Sequence, residues 1–580
     1  MPGLTGPNAA TRRHRRRRTA RYVSLALAIA TAAALLVPLA LADHHGISQA
    51  DAGSPAPTVS VTTSTAPGVT APAPALPRAT LTIAPNADTV PVPSSFFGIS
   101  TEYRSLTLRQ FASNMPVFER VLAMLHVQGD GPLVLRIGGD SADTTFWRPR
   151  WQPMPLWAFE LTPRYLSRLA GLVRRDRVRL IVDLNLVTGD TPITAAAWAR
   201  AAETLLPRHS IVGFEVGNEP DLYSRRYWVA TLARSPLLAD TLPFELTPST
   251  YVQDFADYAR VIGEHAPDIP LIGPAVAHPR DGLSYISALI EDQRPELGAV
   301  SGHLYPYSAC VKRPRKPDYP TVPRLLSREA TAAFSTDIAP AVAVAHAAGL
   351  KFRLTEFNSV TCGGKPRVSD SFATALWAPD ALFTALRAGA DGANLHVRDT
   401  AINGPFAIDR GGLTARPLLY GLLMFTRTLG PQARLVRLHL SAPRSLNLSA
   451  WAVKVRGDIL HVLLIDKGSR AVRVALRLPT SARASVQRLL APSAYARSGV
   501  TLAGRQLNYK GSWTGPPRIE TITAGPRGYL LTLSRRSAAL MSVRLAAPGS
   551  RGRAASEHHR GVAVTQHAVL AVRLHRSSKH

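Results

Sequence analysis

Two glutamates, Glu219 and Glu356, each stand at the end of an apolar, strand-like run and could do acid–base or nucleophilic chemistry. Glu219 lies in IVGFEVGNEPDLY, residues 211–223, where it comes soon after the apolar run IVGFEVG. Pro220 keeps the backbone of Glu219 out of right-handed helical geometry. Glu356 lies in KFRLTEF, residues 351–357. Hydrolysis of a glycosidic bond needs two such carboxyl groups on one cleft. One protonates the leaving oxygen, and the other stabilises or captures the oxocarbenium-like centre.

Further polar residues end other strand-like runs. Taken singly, each could be a satisfied core or loop residue, but their shared position favours a common cleft at the carboxyl ends of parallel strands. The amide of Asn218, beside Glu219, is suited to hydrogen-bonding a sugar 2-hydroxyl. The residues of this set are Glu102, Asp140, Ser141, Asn185, Asn218, His303, Tyr305 and His396.

The elements that must position these residues alternate between apolar runs and helical stretches rich in Ala, Leu and Arg. Eight such β-then-α units over residues 96–432 predict a (β/α)8 TIM barrel of the α/β class. Periodic stretches such as 165–174, 195–206, 251–265 and 371–388 predict its helices. The predicted strands span 96–103, 132–139, 178–186, 211–217, 269–277, 299–307, 351–357 and 392–398.

After the barrel the pattern changes to short alternating runs punctuated by Gly, Pro and Ser. This pattern predicts a C-terminal antiparallel β-sandwich over residues 433–546, with strands at 451–455, 459–465, 471–478, 529–533 and 539–543. Residues 547–580 are basic and His-rich, and we expect them to be a disordered tail.

The amino-terminal segment predicts export. Residues 1–42 combine an arginine-rich start, an apolar stretch at 23–41 and an A-x-A-like cleavage site at Ala40-Leu41-Ala42, as in a signal peptide. An uncleaved membrane anchor through residues 23–41 is the alternative. Residues 43–78, rich in Pro, Ser, Thr and Ala, are expected to form an extended linker. The folded part is therefore expected to be secreted, or attached to the membrane or cell wall.

The two cysteines, Cys310 and Cys362, fall just beyond the sixth and seventh predicted strands, which are neighbours in a barrel. In an exported protein this placement predicts a disulfide between the two loops. Two free thiols are the alternative.

The composition is 46% apolar and 18% charged, which is typical of a globular protein and excludes a wholly disordered one. The formal net charge is +29, and seven of the arginines lie in residues 1–42. The remaining excess could attract acidic polysaccharides or nucleic acid, or be a solvated surface. No zinc spacing, phosphate loop or dinucleotide fingerprint occurs in the sequence, so we expect no cofactor and no metal.

One stretch resembles a known family. LTEFNSVTCGG and the following KPRVSDSFATALWAPDALF, residues 354–383, are similar to the nucleophile region of glycoside hydrolase family 79, the family of β-glucuronidases and heparanases. Supporting segments are FFGISTEY, LRIGGDSAD, VGNEPDLY and SGHLYPYSAC at strands one, two, four and six, with RPLLYGLLMF and GVTLAGRQLNYKGSW further on. The resemblance covers roughly residues 80–545.

The resemblance implies a retaining double displacement, with Glu219 as acid/base and Glu356 as nucleophile. It also implies that Glu102, Asn218, His303 and Tyr305 hold the sugar. Gly363 and Gly364 would offer backbone N–H groups to a uronate carboxylate, since oriented amides form an anion site. It further implies that residues 79–95 add a strand to the sandwich. The expected partner is a carbohydrate, an acidic glycan, and not nucleic acid.

Two departures from the family pattern bear on the sugar. Family members often place a tyrosine hydroxyl near the carboxylate after strand eight, where this chain has Phe406, and within strand eight it has Leu395 in place of a tyrosine. Arg398 or Arg410 could substitute as the carboxylate partner. A retaining glycosidase acting on a neutral sugar therefore stays open.

Two interpretations from other protein classes compete with the glycosidase prediction. Gly139-Asp140-Ser141 with Asp458 and His461 echoes an esterase of the GDS type, but these residues fall in different predicted domains. A non-catalytic polysaccharide-binding barrel would use the basic surface, yet binding alone does not require both Glu219 and Glu356.

Overall fold

The computed structural model of the protein describes residues 75–86, 89–106, 112–150, 158–186, 192–223, 246–398 and 401–545. The predicted signal peptide or anchor, nearly all of the predicted linker and the predicted tail lie outside these residues. Within the described ranges, no helix combines the length and the apolar character that crossing a membrane requires. The described chain from Leu76 onward belongs to one compact unit.

Two strands precede the barrel, β1 (Arg78–Ile83) and β2 (Thr89–Pro91). Eight parallel strands then close into a barrel in which each pairs with the next and the last pairs with the first. They are β3 (Phe97–Glu102), β4 (Leu133–Gly138), β7 (Val178–Leu184), β8 (Ile211–Val216), β9 (Leu271–Val276), β10 (Leu297–Leu304), β12 (Lys351–Phe357) and β14 (Gly392–Val397).

All eight predicted barrel strands are present, and the predicted TIM barrel is confirmed. Their ends differ from the prediction by up to three residues. The largest difference is at β10, which stops at Leu304 just before Tyr305-Pro306, where proline has no N–H for the ladder. The strands were recognisable because parallel strands covered on both faces read as continuous apolar runs.

Helices cover the outside of the barrel. Capping defines their starts: Thr162 accepts a hydrogen bond from the N–H of Tyr165, and a proline takes the first helical position. Thr247 caps another helix start in the same way. The described helices are α1 (Met115–Leu125), α2 (Pro163–Asp176), α3 (Pro192–Leu205), α4 (Pro248–His265), α5 (Leu283–Gln293), α6 (Val322–Leu325), α7 (Glu329–Thr336), α8 (Ala339–Ala347), α9 (Phe372–Arg387) and α10 (Pro417–Thr428).

Three short strand pairs extend the loops around the barrel. The parallel pair β11–β13 joins the loops after β10 and β12, whereas the parallel pair β5–β6 and the antiparallel hairpin β15–β16 each lie within a single loop, after β4 and after β14. Their bounds are β5 (Thr145–Trp147), β6 (Phe159–Leu161), β11 (Tyr307–Ser308), β13 (Val360–Thr361), β15 (Phe406–Asp409) and β16 (Gly412–Ala415).

The C-terminal strands form two packed sheets. One has the order β18-β1-β21-β25, and the other has the order β2-β17-β19-β20-β26-β22-β23 with β24 paired to β22. Their bounds are β17 (Arg434–Val436), β18 (Leu438–Ser441), β19 (Leu448–Val455), β20 (Ile459–Asp466), β21 (Val472–Arg477), β22 (Ala484–Leu490), β23 (Thr501–Leu502), β24 (Glu520–Ile522), β25 (Tyr529–Leu533) and β26 (Ser537–Arg544).

The prediction of a purely antiparallel sandwich needs one correction. β1 pairs antiparallel with β18 but parallel with β21. Because β1 enters from before the barrel and not through a tight hairpin, its direction is not forced to oppose its neighbour.

The two sheets enclose an apolar core that includes residues of β1. The other face of the larger sheet packs on the barrel helices. There Trp451 of β19 stacks on Phe383 of α9 with ring centroids 5.3 Å apart. The sandwich is therefore anchored to the helix that follows the strand of Glu356.

Candidate active site

A cavity of about 670 Å³ opens at the carboxyl ends of the barrel strands. This is the edge at which parallel barrels gather polar side chains from several strands. The loop disulfide and both candidate glutamates line it. Its lining residues are Glu102, Asp140, Glu219, Leu222, Ala277, Tyr305, Ser308, Cys310, Glu356, Thr361, Cys362, Gly363, His396, Arg398, Ala401 and Asn403.

The two candidate glutamates face each other across this cavity. Glu219 lies just beyond the end of β8, after Gly217 and Asn218, and adopts a left-handed backbone with φ of +50°. This conformation is uncommon for a residue with a side chain, and a hydrogen bond from its N–H to the carbonyl of Ala275 helps to hold it. Glu356 lies in β12. A carboxylate oxygen of Glu219 and one of Glu356 lie within 4.8 Å of each other.

Glu356 is surrounded by donors and cations. The hydroxyl of Tyr305 donates to its Oε2 at 2.9 Å, His396 Nδ1 lies 2.9 Å from the same oxygen, and Arg136 donates to Oε1 at 2.5 Å. Burial by itself would raise the pKa of this carboxyl. The charges of His396, His303 and Arg136 outweigh burial and hold the pKa of Glu356 well below its usual range. Glu356 is therefore kept ionised.

Glu219 has a different neighbour, since His303 Nδ1 lies 2.9 Å from its Oε1. Burial lowers the pKa of His303, but Glu356 and Glu219 together raise it above the usual histidine value. The imidazole of His303 thus lies between the two carboxyl groups, with its Nδ1 3.9 Å from Glu356 Oε2. The two glutamates sit in unlike environments, as an acid and a nucleophile require.

A fully buried charge cluster lies beneath Glu356 and was not predicted. Arg136 of β4 pairs with Asp183 of β7 at 2.8 Å and with Glu215 of β8 at 2.7 Å, and all three side chains are completely buried. The same guanidinium donates to Asn218 Oδ1 at 2.9 Å. Charged residues in the middle of three apolar strand runs were the signal in the sequence. Asn218 thereby lies on this network, with its side-chain oxygen turned to Arg136.

Glu102, at the end of β3, also lines the cavity. The N–H of Ser141 donates to its Oε2 at 2.8 Å, and His396 Nε2 lies 3.4 Å from its Oε1. Burial would raise its pKa, but His396 and Arg398 lower it. His396 thus bridges Glu102 and Glu356, and the pKa of its imidazole is raised to about 10 by these two carboxylates against the effect of burial.

The predicted anion site is present only in part. Gly363 lines the cavity, but the N–H of Gly364 donates to the carbonyl of Thr361 within the turn. The expectation that both amides face the ligand is therefore wrong for Gly364. Arg398 lines the cavity, whereas Arg410 lies exposed in the turn of the β15–β16 hairpin. Of the two candidate arginines, Arg398 is the one placed at the site.

The two departures from the family pattern lie in the protein core. Phe406 is buried and packs on Phe118 with ring centroids 6.3 Å apart. Leu395 of β14 is fully buried in the apolar core, while its neighbour His396 faces the cavity. Among the described residues, neither Phe406 nor Leu395 belongs to the cavity lining.

The predicted disulfide is confirmed. Cys310 and Cys362 are bonded, with their Cα atoms 5.9 Å apart, and both residues line the cavity. The adjacent strands β11 and β13 pair in parallel. The loops after β10 and β12 are thus joined by a covalent bond and by backbone hydrogen bonds.

Two other strand-end residues have structural partners. Asn185 donates to the carbonyl of Thr145 at 3.0 Å. The hydroxyl of Ser141 donates to the Gly138 carbonyl and accepts from the N–H of Tyr103. These bonds support the turn after β4.

The esterase interpretation requires Ser141, Asp458 and His461 to act together. Asp458 pairs with Lys454 at 3.2 Å, and His461 Nδ1 lies 2.9 Å from the carbonyl of Thr428. Ser141 is held in the turn described above. Each of the three residues therefore has a partner of its own, and the structure does not favour this interpretation.

One group of described residues could approach a metal ion by spacing. Glu219, His303 and Glu356 each offer a ligand atom within 4.8 Å of the others. Yet His303 Nδ1 contacts Glu219, and Arg136 and Tyr305 contact the two oxygens of Glu356. A metal ligand must be deprotonated, and the atom that binds the metal needs a free lone pair. This donor set fits a proton-sharing acid–base site better than a metal site.

Comparisons with known proteins agree with the barrel. No protein-family model matches the chain. A β-glucuronidase of Aspergillus niger is 26% identical over 205 residues, which are 30% of this chain and 37% of that protein. The match therefore spans well under half the length of this relative.

The solved structures are similar over most of the chain. A 4-O-α-L-rhamnosyl-β-D-glucuronidase from Fusarium oxysporum, in complex with Rha-GlcA, has a TM-score of 0.63 at 17% identity, covering 80% of this chain and 100% of that one. An α-L-arabinofuranosidase from Thermotoga maritima, in complex with arabinose, has a TM-score of 0.59 at 16% identity, with the same coverage. The shared fold and the sequence relationship support an enzyme of the glycoside hydrolase class.

Proposed function

We propose that this chain is a retaining glycoside hydrolase of the family 79 type that cleaves β-linked glucuronic acid, or its 4-O-methyl form, from a polysaccharide or glycoconjugate. The observation that carries the mechanism is that one carboxylate oxygen of Glu219 lies within 4.8 Å of one carboxylate oxygen of Glu356. Retaining enzymes place their carboxyl groups about 5 Å apart, whereas inverting enzymes leave about 6.5–9.5 Å for a water molecule.

In the first step, ionised Glu356 attacks the anomeric carbon and Glu219 gives its proton to the leaving oxygen. The low pKa of Glu356, maintained by His396, His303 and Arg136, supports the nucleophile role. The Tyr305 hydroxyl, 2.9 Å from Oε2, orients this carboxylate. The C–O bond to the aglycone breaks as the bond to Glu356 forms, so the sugar stays covalently attached.

In the second step, Glu219 takes a proton from water, and the water attacks the anomeric carbon and releases Glu356. His303 Nδ1 lies 2.9 Å from Glu219 Oε1, so the hydrogen bond between them can adjust when the charge on Glu219 changes between the two steps. Two inversions at the same carbon give net retention.

The uronate preference is supported by the sequence relationship to a β-glucuronidase and by the cation Arg398 on the cavity wall. A second candidate is a retaining glycosidase for a neutral sugar. Arabinofuranosidases share the fold, and Glu102, Asp140, Glu219 and Glu356 already give the cavity four carboxyl groups. These groups would oppose an anionic ligand unless cations compensate for them.

The deciding experiment measures initial rates on matched aryl β-D-glucuronide and β-D-glucoside with wild type, Glu219→Ala and Glu356→Ala. We expect uronide turnover that is lost in both variants. Azide should rescue Glu356→Ala with an α-glycosyl azide and Glu219→Ala with a β-glycosyl azide. A 2-fluoro glucuronide should label Glu356. Preference for the glucoside would select the second candidate, and no turnover of either would refute the enzyme assignment for these sugars.

We also propose that the protein acts outside the cytoplasm. The disulfide between Cys310 and Cys362 supports this, because disulfides persist in oxidising compartments. The export pattern in residues 1–42 points the same way. Immunodetection in culture medium, membrane and cytosol fractions distinguishes secretion from anchoring and from retention inside the cell.

A further inference from the structure

One wall of the cavity carries an ion pair that the two-step mechanism does not use. Arg398 Nη1 lies 3.3 Å from Asp140 Oδ2, and the two side chains are 37% and 36% exposed. This distance is long for a charge-assisted hydrogen bond, which is usually 2.7–2.9 Å. The pair is therefore loose and open to the cavity, in contrast to the fully buried Arg136 cluster.

The guanidinium of Arg398 also reaches the loop of Gly363 and Gly364, which we call the anion loop. A Cβ atom on Gly363 would lie 3.3 Å from Arg398 Nη2, so glycine leaves room for the guanidinium beside the loop backbone. Gly363 has φ of +76°, a conformation that favours glycine. A carboxylate in this corner would meet the cation of Arg398 and the backbone of Gly363.

Asp140 is crowded by negative charge. Its pKa is raised by the charges of three carboxylates, which are Glu102 from β3, Glu219 after β8 and Glu356 from β12. Among the groups that affect this pKa most, the one compensating cation is Arg398, after β14. Partial desolvation of Asp140 in the cavity wall, where its side chain stays 36% exposed, and the nearby carboxylates raise its pKa to about 7, against the effect of Arg398. Arg398 in turn faces Glu102, Asp140, Tyr305 and Glu356.

We propose that Arg398 is the specificity-determining residue for an anionic sugar, and that Asp140, its resident partner, takes up one proton when the sugar carboxylate binds. The proton comes from solvent, bonds to a carboxylate oxygen of Asp140 and returns to solvent when the ligand leaves. Protonated Asp140 changes from a repelling anion into an O–H donor, and Arg398 is freed to pair with the ligand. This inference rests on the proposed function, since it assumes that the cavity holds the sugar.

If Asp140 merely supported Arg398, removal of its charge would have the opposite effect on anion binding. If Asp140 only holds the guanidinium in place, its removal weakens anion binding at every pH. If it competes with the ligand, Asp140→Asn strengthens anion binding above neutral pH. The sign of the effect in this one variant separates the two roles.

The test is titration calorimetry with D-glucuronate and with D-glucose, from about pH 5 to about pH 9, on wild type, Asp140→Asn and Arg398→Gln. Wild type should bind glucuronate with constant affinity below about pH 7 and about tenfold more weakly for each pH unit above it. Glucose binding should lack this slope. Runs in two buffers of different ionisation enthalpy should show uptake of up to one proton per glucuronate.

Asp140→Asn should remove the slope and bind glucuronate more tightly than wild type at the alkaline end. Arg398→Gln should weaken glucuronate roughly tenfold or more and leave glucose unchanged, because a hydrogen bond to a charged group is lost. Arg410→Gln is the matched control in the exposed hairpin and should change neither sugar. Retained glucose binding shows that the variants are folded.

Equal slopes in wild type and Asp140→Asn, or equal losses for both sugars in Arg398→Gln, overturn the inference. Its failure is distinguishable from that of the proposed function. Hydrolysis of aryl glucuronide with no effect of either substitution refutes this inference alone. Glucuronate binding with the expected slope but without turnover refutes the hydrolase and leaves the inference standing.

Discussion

The carboxylate of Asp380, on α9 of the barrel, lies 2.7 Å from the ammonium of Lys467 in the sandwich, and the two side chains are only 4% and 1% exposed. Trp451 Nε1 and Ser449 Oγ each donate to the same carboxylate at 2.8 Å. The buried charge is thus fully compensated across the interface between the two parts of the molecule. Because α9 follows the loop that carries Gly363, this contact also helps to fix one wall of the cavity.

Asp380→Ala should lower the free energy of unfolding by about 3–5 kcal/mol, since it leaves the ammonium of Lys467 buried without a partner. Urea unfolding measures the change. Adding Lys467→Met should recover most of the loss, because the orphaned charge is then removed. Arg175→Ala breaks the partly exposed pair with Glu119 and is the matched control, with an expected cost below about 1 kcal/mol. Equal costs for the two single variants would contradict the argument.

Much of this architecture could be read from the sequence because barrel strands covered on both faces are apolar along their length. Glu219 and Glu356 were recognisable as carboxylates at the ends of such runs. The contacts of Arg136 were not, because they join β4 to β7, β8 and β12, and the alignment of these strands depends on how the barrel closes. The turn that occupies the N–H of Gly364 and the parallel pairing of β1 depend on tertiary packing in the same way.

His396→Gln should move the acidic limb of the pH profile of kcat/KM to higher pH. The imidazole, with a pKa of about 10, is a cation at neutral pH and helps to keep the pKa of Glu356 low. Without that cation the pKa of Glu356 rises, so a smaller fraction of the nucleophile is ionised in acid. The loss of activity should be largest at the acidic end of the profile and small near neutral pH, where Glu356 stays ionised in both proteins.

His346→Gln is the control for this experiment. His346 Nε2 lies 2.9 Å from Asp391, and its side chain is 43% exposed on the outside of the barrel. Its profile should overlay that of the wild type. An unmoved acidic limb in His396→Gln would show that Arg136 and His303 suffice to keep Glu356 ionised.

Tyr305→Phe should lower kcat about 10- to 100-fold with a small change in KM. The variant removes one hydroxyl that donates to Glu356 Oε2 at 2.9 Å, and hydrogen bonds to a charged group contribute about 1.5–3 kcal/mol. Tyr307→Phe is the matched control two residues along, because that hydroxyl donates to the carbonyl of Arg324. Steady-state rates on the aryl substrate compare the two. A similar loss in both would indicate a general disturbance of the β10 loop.

Gly139→Ala should abolish activity while costing only about 1–2 kcal/mol of stability from backbone strain. Gly139 has φ of +71°, and a Cβ there would lie 2.9 Å from Glu102 Oε1 and 3.1 Å from Glu356 Oε1. One methyl group would therefore displace two carboxylates at once. Gly457→Ala has a similar φ of +81° with nothing within 4 Å of its Cβ, so it should share the stability cost and keep full activity. Rates and thermal unfolding of both variants test this.

The disulfide should hold the anion loop in place as well as stabilise the fold. Cys310 and Cys362 close a loop with a sequence separation of 52, for which the chain-entropy estimate is about 4 kcal/mol. Replacing both residues by serine should lower the free energy of unfolding by up to this amount. It should also raise KM for an aryl glucuronide more than for the glucoside, because Gly363 directly follows Cys362. The chain has only these two cysteines, so dithiothreitol should bring the wild type to the kinetics of the double variant and leave that variant unchanged. An equal rise in KM for both sugars would mean that the disulfide supports the whole cavity and not specifically the part next to Gly363 and Arg398.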